Sequence, residues 1–177
     1  MNIASRAATT DDIDTLIVLY RELEKEQAAL RPMWPLADGM PEPARSAFAE
    51  ILEDPDSQLV IGELDGTPLG FAWGRIEPLL PQAEGHRVGV VRLIHTVYAA
   101  RGVGIGDAMV EHLLAGFRED GLHLFDARVS PGHRHAKNFF EAHGFSARLI
   151  VMHHDDRPDG ETYQATDDGT ADKRADL

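Results

Sequence analysis

Three glycines within five residues, in Arg101-Gly102-Val103-Gly104-Ile105-Gly106, constrain this chain more than any other stretch. They follow a β-type apolar run over residues 88–98 and precede a helical pattern that begins near Asp107. A turn so poor in side chains, at the mouth of a helix, gathers backbone N–H groups and adds the partial positive charge of the helix dipole. A phosphate or pyrophosphate suits such a turn. The spacing is not the dinucleotide fingerprint G-x-G-x-x-G, nor the phosphate loop that ends in Gly-Lys-Ser/Thr. An ordinary glycine-rich turn between strand and helix is the competing reading, so the flanking chain has to decide.

At 177 residues the chain is sized for one domain with a real core. Its 43% hydrophobic and 27% charged residues fit a soluble globular protein. Cysteine is absent, which excludes disulfides, thiol catalysis and thiolate metal sites and is compatible with a reducing cytoplasm. Residues 1–12 lack the apolar core of an export signal and no apolar run approaches 18 residues, so the expected location is cytoplasmic, away from membranes. A net charge of −13 argues against a nucleic acid partner and mildly favours a cationic, amine-bearing substrate, although most of the acids simply solvate the surface.

In chain order, residues 2–7 read as an edge strand, and Thr9-Thr10-Asp11-Asp12 caps a helix that runs to about Ala29. Residues 31–41 hold three prolines around Met33 and Trp34 and form an irregular loop, either a functional wall or a hydrophobic plug. A second helix covers 44–52. Residues 58–63 and 67–77 make a hairpin through Asp65-Gly66. A proline-bearing loop at 78–85 leads to the strand 88–98 and the glycine turn. A helix marked by Val110, Leu113, Leu114 and Phe117 follows, then a strand over 122–129 and a short helix around Ala136 to His143 capped by Gly144. The last strand is expected over 145–153. These elements make one domain, 1–154, followed by an acidic tail, 155–177, that reads as mobile.

Arg101-x-x-Gly104-x-Gly106 fits the pattern Arg/Gln-x-x-Gly-x-Gly/Ala and resembles the acetyl-CoA signature of the GNAT N-acetyltransferases. A second region, from Val129 to Phe145, matches that family's downstream motif at Ala136, Phe139, Glu141, Gly144 and Phe145. With the element order β-α-α-β-β-β-α-β-α-β, the resemblance covers about residues 3–153. It implies an α/β acyl-CoA N-acyltransferase fold, with a central mixed, mostly antiparallel sheet whose middle strands splay, flanked by helices. The pantetheine arm of acetyl-CoA would pair with the backbone of Ile94, Thr96 and Val97 in that splay. The pyrophosphate would sit on Gly102, Val103, Gly104, Ile105 and Gly106 beside Arg101, with Lys137 or Arg134 near the adenosine 3′-phosphate. Two departures stand out. His133 replaces the motif's asparagine and could still hydrogen-bond the pantetheine, and Phe140 stands where a tyrosine often protonates the departing thiolate.

The reaction implied is direct attack of an unprotonated amine on the thioester, with the oxyanion held by a backbone N–H near Thr96 or Val97. His95, Glu77, His86 and Tyr98 are the candidates for moving protons. Strand alternation sends His95 and Thr96 to opposite faces, so a buried, hydrogen-bonded role for His95 competes with a catalytic one. No metal site is expected, because the pairs His133/His135 and His153/His154 are badly spaced for chelation and no carboxylate-rich motif accompanies them. The expected acceptor is a small amine or a protein amino group. A GNAT-fold acyl-CoA sensor or partner module without turnover is the alternative that Phe140 keeps open, and an O-acyltransferase or a user of longer acyl chains is a further one. The resemblance also leaves a homodimer open.

Overall fold

The computed structural model describes residues 1–30, 39–79 and 86–152. The chain separates into two units, Met1–Ser146 and Ala147–Leu177, and every helix and strand below belongs to the first. In order these are β1 (Ile3–Ala7), a single 3-10 turn (Thr10–Asp12), α1 (Ile13–Leu30), α2 (Ala44–Glu53), β2 (Ser57–Leu64), β3 (Thr67–Pro78), β4 (Arg87–Thr96), a 3-10 turn (Tyr98–Ala100), α3 (Ile105–Glu119), β5 (Phe125–Ala127) and α4 (Arg134–Ala142). The sheet order is β1-β2-β3-β4-β5, antiparallel as far as β4, with β5 parallel to β4. No helix among the described residues is long and apolar enough to cross a membrane.

Alternation along the strands builds two cores. Leu59, Ile61, Phe71 and Leu93 face α1 and α2, meeting Leu16, Leu19, Tyr20, Leu23 and Phe48. Their neighbours Val60 and Ala72, with Val91, face α3 and pack on Ile105, Met109, Val110, Leu113 and Phe117. The Phe117 ring lies so close to the sheet that a Cβ on Gly74 or Gly89 would come within 2.7 or 2.5 Å of it. The β2–β3 hairpin closes through Asp65 (φ 50°) and Gly66 (φ 78°), two successive left-handed residues of the kind a twisted hairpin requires. Ahead of α1, Asp12 accepts the Thr9 N–H at 2.8 Å and a two-pronged hydrogen bond from Arg6, which lowers its carboxyl to about 2.

The middle of the sheet divides. β4 and β5 pair over Gly89↔Phe125, Val90↔Asp126 and Val91↔Ala127, and the ladder stops where Arg128 N–H reaches Val91 O at 3.0 Å. At that rung β4 carries a bulge: Val91 pairs with Gly74 and Leu93 with Trp73, leaving Arg92 between them. A bulge bends its strand and increases the twist. β4 therefore veers from β5, and its remaining residues, Arg92–Thr96, have β3 alone as a strand neighbour.

Three sequence expectations change. β5 has three residues rather than the eight of 122–129, because Arg128 already leaves the ladder. β4 ends at Thr96, and Tyr98 belongs to the following 3-10 turn. The last strand, expected over 145–153, is absent over the described residues 145–152, and Leu149, Ile150, Val151 and Met152 are exposed. A β-type run forms a strand only when another backbone takes up its hydrogen bonds, and hydrophobic pattern alone does not report that partner. Met33, Trp34, the core of the 78–85 loop and the tail 155–177 lie outside the described residues.

Candidate functional site

The division of the sheet leaves specific backbone groups unpaired. Val97 N–H donates to Leu69 O at 2.9 Å, so that amide belongs to β3 and is not the free donor expected from the sequence. In an antiparallel ladder, alternate residues turn their N–H and C=O to the same neighbour. With Val97 and His95 directed at β3, the groups of Ile94 and Thr96 point into the gap. Thr96 O accepts Arg101 Nε at 3.0 Å.

The glycine turn closes one end of the gap. Gly102 and Gly104 have φ of 79° and 106°, and Gly104 caps α3 by accepting Ala108 N–H at 3.0 Å. The N–H groups of residues 102–107 donate to no backbone carbonyl among the described residues. Unengaged N–H groups at a helix N-terminus suit an anion, and here Val103, Ile105 and Gly106 contribute backbone. Ile105 itself is buried in the α3 core, and the Phe139 ring of α4 would meet a Cβ on Gly106 at 3.2 Å. Asp107 adds a negative charge to the same turn and lies 3.2 Å from His143 Nε2.

Across the gap, α1 supplies a polar cluster that sequence reasoning missed. Glu26 takes the Arg101 guanidinium in a fork of 2.9 and 2.5 Å, which holds its carboxyl below the usual range and raises Arg101. The same carboxylate lies 3.5 Å from His133 Nε2 and 3.9 Å from His95 Nδ1. Gln27 Nε2 donates to His133 Nδ1 at 3.0 Å, so the His133 proton sits on Nε2, facing Glu26. His95 Nε2 is 3.5 Å from Glu22 Oε2. Arg101 and His133, expected to be available to a cofactor, are thus tied to α1. Their signal was Glu22-x-x-x-Glu26-Gln27, two acids one turn apart beside the apolar stripe of Leu16, Tyr20 and Leu23. An open cleft, lined by Glu26, Ala29, Leu30, His133, Arg134 and His135, lies next to the cluster.

The other candidates fall elsewhere. Glu77 pairs with Val88, seven residues from His95 along β4, or about 23 Å at strand rise. It is held by Arg92 and Arg128, and Arg92 lies over the Trp73 ring at 5.2 Å. Tyr98 is 82% exposed, with the Arg101 guanidinium 5.4 Å from its ring centre. His86 is exposed, its carbonyl accepting Leu79 N–H at 3.0 Å. Phe140 is buried against Phe139 and Phe145, with ring centres at 5.2 and 5.3 Å, and supplies no hydroxyl. Lys137 is paired with Glu141 one turn along, and Arg134 is exposed. No three His, Asp or Glu among the described residues are arranged to hold a metal ion.

Burial lowers both His95 and His133 from the ordinary 6.5. Above that value both are neutral in either state, and folding keeps its full stability. As pH falls through 6.5 the unfolded chain takes up the protons first, and stability drops by about 1.4 kcal/mol per pH unit per histidine until the folded values are reached. A second loss begins below 3.8, where Asp12, at about 2 when folded, is protonated first in the unfolded chain. Urea unfolding at pH 7.5 and 5.5 checks the first step, with the lower stability expected at pH 5.5.

Residues 20–145 match the acetyltransferase (GNAT) family. Comparison with curated proteins by sequence found no match. Among solved structures, a transcriptional regulator from Bacillus halodurans is 25% identical, with a TM-score of 0.69 over 86% of this chain and 100% of that one. The aminoglycoside N-acetyltransferase AAC(6')-Iy, in complex with a CoA bisubstrate analogue, is 19% identical, with a TM-score of 0.70 over 89% of this chain and 100% of that one. A ribosomal-protein-alanine N-acetyltransferase from Brucella melitensis biovar Abortus is 15% identical, with a TM-score of 0.66 over 88% and 99%. The two enzymes share the fold with this chain, and the match over residues 20–145 goes further: the chain belongs to the GNAT acetyltransferase family.

Proposed function

We propose that this protein is an acetyl-CoA-dependent N-acetyltransferase that acetylates a primary amine. The observation that carries the reading is the opening of β4 from β5 beside an anion cradle. An amide-rich arm ending in a diphosphate matches both halves. The arm pairs with the Ile94 backbone and the Thr96 N–H, the Thr96 carbonyl being held by Arg101, and the diphosphate takes the N–H groups of residues 102–106. The co-substrate supplies the activated acetyl group. The chain's part is to place the thioester against an amine, remove a proton from that amine, and offer an N–H to the carbonyl oxygen. With Val97 engaged by Leu69, the N–H groups left to do this on β4 are those of Ile94 and Thr96. The acceptor is a small amine or a protein amino group, in keeping with the amine substrates in the names of the two structural neighbours.

Free-thiol release from acetyl-CoA with polyamines, aminoglycosides, amino acids and peptides tests this reading. Turnover with one amine class and none with the matching alcohols is expected. CoA that raises the melting temperature while no amine is acetylated would favour the binding-module reading left open by Phe140. No stabilisation by CoA at all would overturn both.

A further inference from the structure

We propose that Glu22 and His95, with Glu26 positioning the His95 ring, form the subsite that takes the acceptor's ammonium group and removes its proton. This rests on the N-acetyltransferase reading above.

His95 is 5% exposed, and its Nδ1 has no hydrogen-bond partner among the described residues. Each ring nitrogen faces a carboxylate: Nε2 faces Glu22 at 3.5 Å and Nδ1 faces Glu26 at 3.9 Å. A neutral imidazole has one N–H and one lone pair, so in either tautomer a lone pair confronts an anion. Two arrangements relieve that conflict. The ring can take a second proton, which burial and the nearby Arg101 charge oppose and the two carboxylates favour, with burial the largest of these influences. Otherwise a cationic donor enters between lone pair and carboxylate. The Phe71 ring on β3, with its centre 6.5 Å from that of the imidazole, carries no charge.

The charge of the cluster fits that second arrangement. Glu26 is neutralised by its fork with Arg101, while the half-exposed Glu22 has the imidazole as its one polar partner among the described residues, which leaves one net negative charge there. A single ammonium balances it. Glu22 swings aside to admit the amine and accepts one N–H. A second N–H bond breaks and its proton passes to the His95 lone pair, giving an imidazolium flanked by two carboxylates. The electron pair left on nitrogen bonds the thioester carbonyl carbon. The carbonyl π pair moves to oxygen and then re-forms C=O as the carbon–sulfur bond breaks with its pair going to sulfur. The nitrogen's second proton passes to the departing thiolate, which leaves a neutral amide, and the imidazolium returns the first proton to solvent. Glu26 positions His95 and Arg101 together and does not touch the amine.

The test titrates the full chain, with 15N-labelled histidine, against propylammonium chloride and against 1-propanol, reading the His95 ring signals. Propylammonium is expected to shift them and propanol to leave them unmoved, with Glu22→Gln weakening the ammonium response by about tenfold or more. An unshifted ring, or an equal response in Glu22→Gln, overturns the proposal. With any amine that the wild type acetylates, Glu22→Gln is expected to raise KM for the amine while CoA-dependent stabilisation stays unchanged. His95→Gln is expected to lower kcat by roughly 100-fold or more and to remove the acidic limb of the pH profile. Unchanged KM and kcat in the two variants also overturn it. An ammonium response that needs Glu22, in a chain that neither binds CoA nor turns over, would instead sink the transferase reading and leave the ammonium site standing.

Discussion

Gly104→Val is expected to weaken CoA binding by about one to two orders of magnitude. Gly104 holds φ 106° and ψ 3° at the cap of α3, a conformation that a β-branched residue adopts only under strain of about 1–3 kcal/mol. Space is not the obstacle, since the nearest atom to a Cβ at this position, Ile3 Cδ1, lies at an ordinary 3.4 Å. The strain is relieved when the turn re-forms with another backbone geometry, and the N–H groups of residues 102–107 then no longer converge. Asparagine tolerates left-handed backbone better than valine, so Gly104→Asn is expected to retain more of the affinity. Calorimetric titration of CoA into the three proteins checks the order Gly, Asn, Val. Equal affinity in all three would place the diphosphate elsewhere.

Gly89→Val is expected to be the most destabilising single change in the sheet, by about 3 kcal/mol or more. The Gly89 Cβ would stand 2.5, 2.6 and 2.9 Å from three atoms of the fully buried Phe117 ring, which a Cβ on Gly74 would also meet at 2.7 Å. Gly89 also forms a rung to β5, and its N–H donates to Leu124 O, so displacement there disturbs the strand pair on which the gap is hinged. For a chain of this length the loss corresponds to roughly 10 °C in melting temperature. Phe117→Ala opens the space that the valine needs. The double variant Gly89→Val/Phe117→Ala is therefore expected to be less destabilised than the sum of the two singles. Strict additivity would show that the close approach of α3 is not what fixes glycine at position 89.

Much of this arrangement could be read from the chain because local signals agreed with the fold. Asp65-Gly66 set the hairpin, Thr9 and Asp12 set the start of α1, and the spacing of Val110, Leu113, Leu114 and Phe117 set the buried stripe of α3. The glycine turn was legible for the same reason, since its backbone geometry requires residues without a Cβ. What stayed hidden depends on contacts between distant segments. No local pattern reveals that Glu26 reaches 75 residues along the chain to Arg101, or that Gln27 fixes the His133 tautomer. The strand expected at 145–153 failed through the same blindness, because its β-type composition gives no information about an available partner. In the sequence Glu77 ends a strand beside a loop and Tyr98 is the hydroxyl nearest the glycine turn, and neither feature reports a partner. Glu77 is committed to Arg92 and Arg128, and Tyr98 projects into solvent. His95 alone of the proposed catalytic residues lies within the polar cluster.

Amide hydrogen exchange at Ile94 and Thr96, with and without CoA, tests most directly the idea that the arm pairs with β4. These two N–H groups face the gap, whereas Val97 N–H is already engaged by Leu69 O. Slowed exchange at Ile94, at Thr96 and across residues 102–106 on adding CoA is expected, with little change at Val97. Saturating CoA that leaves Ile94 and Thr96 exchanging at their free rates would contradict it.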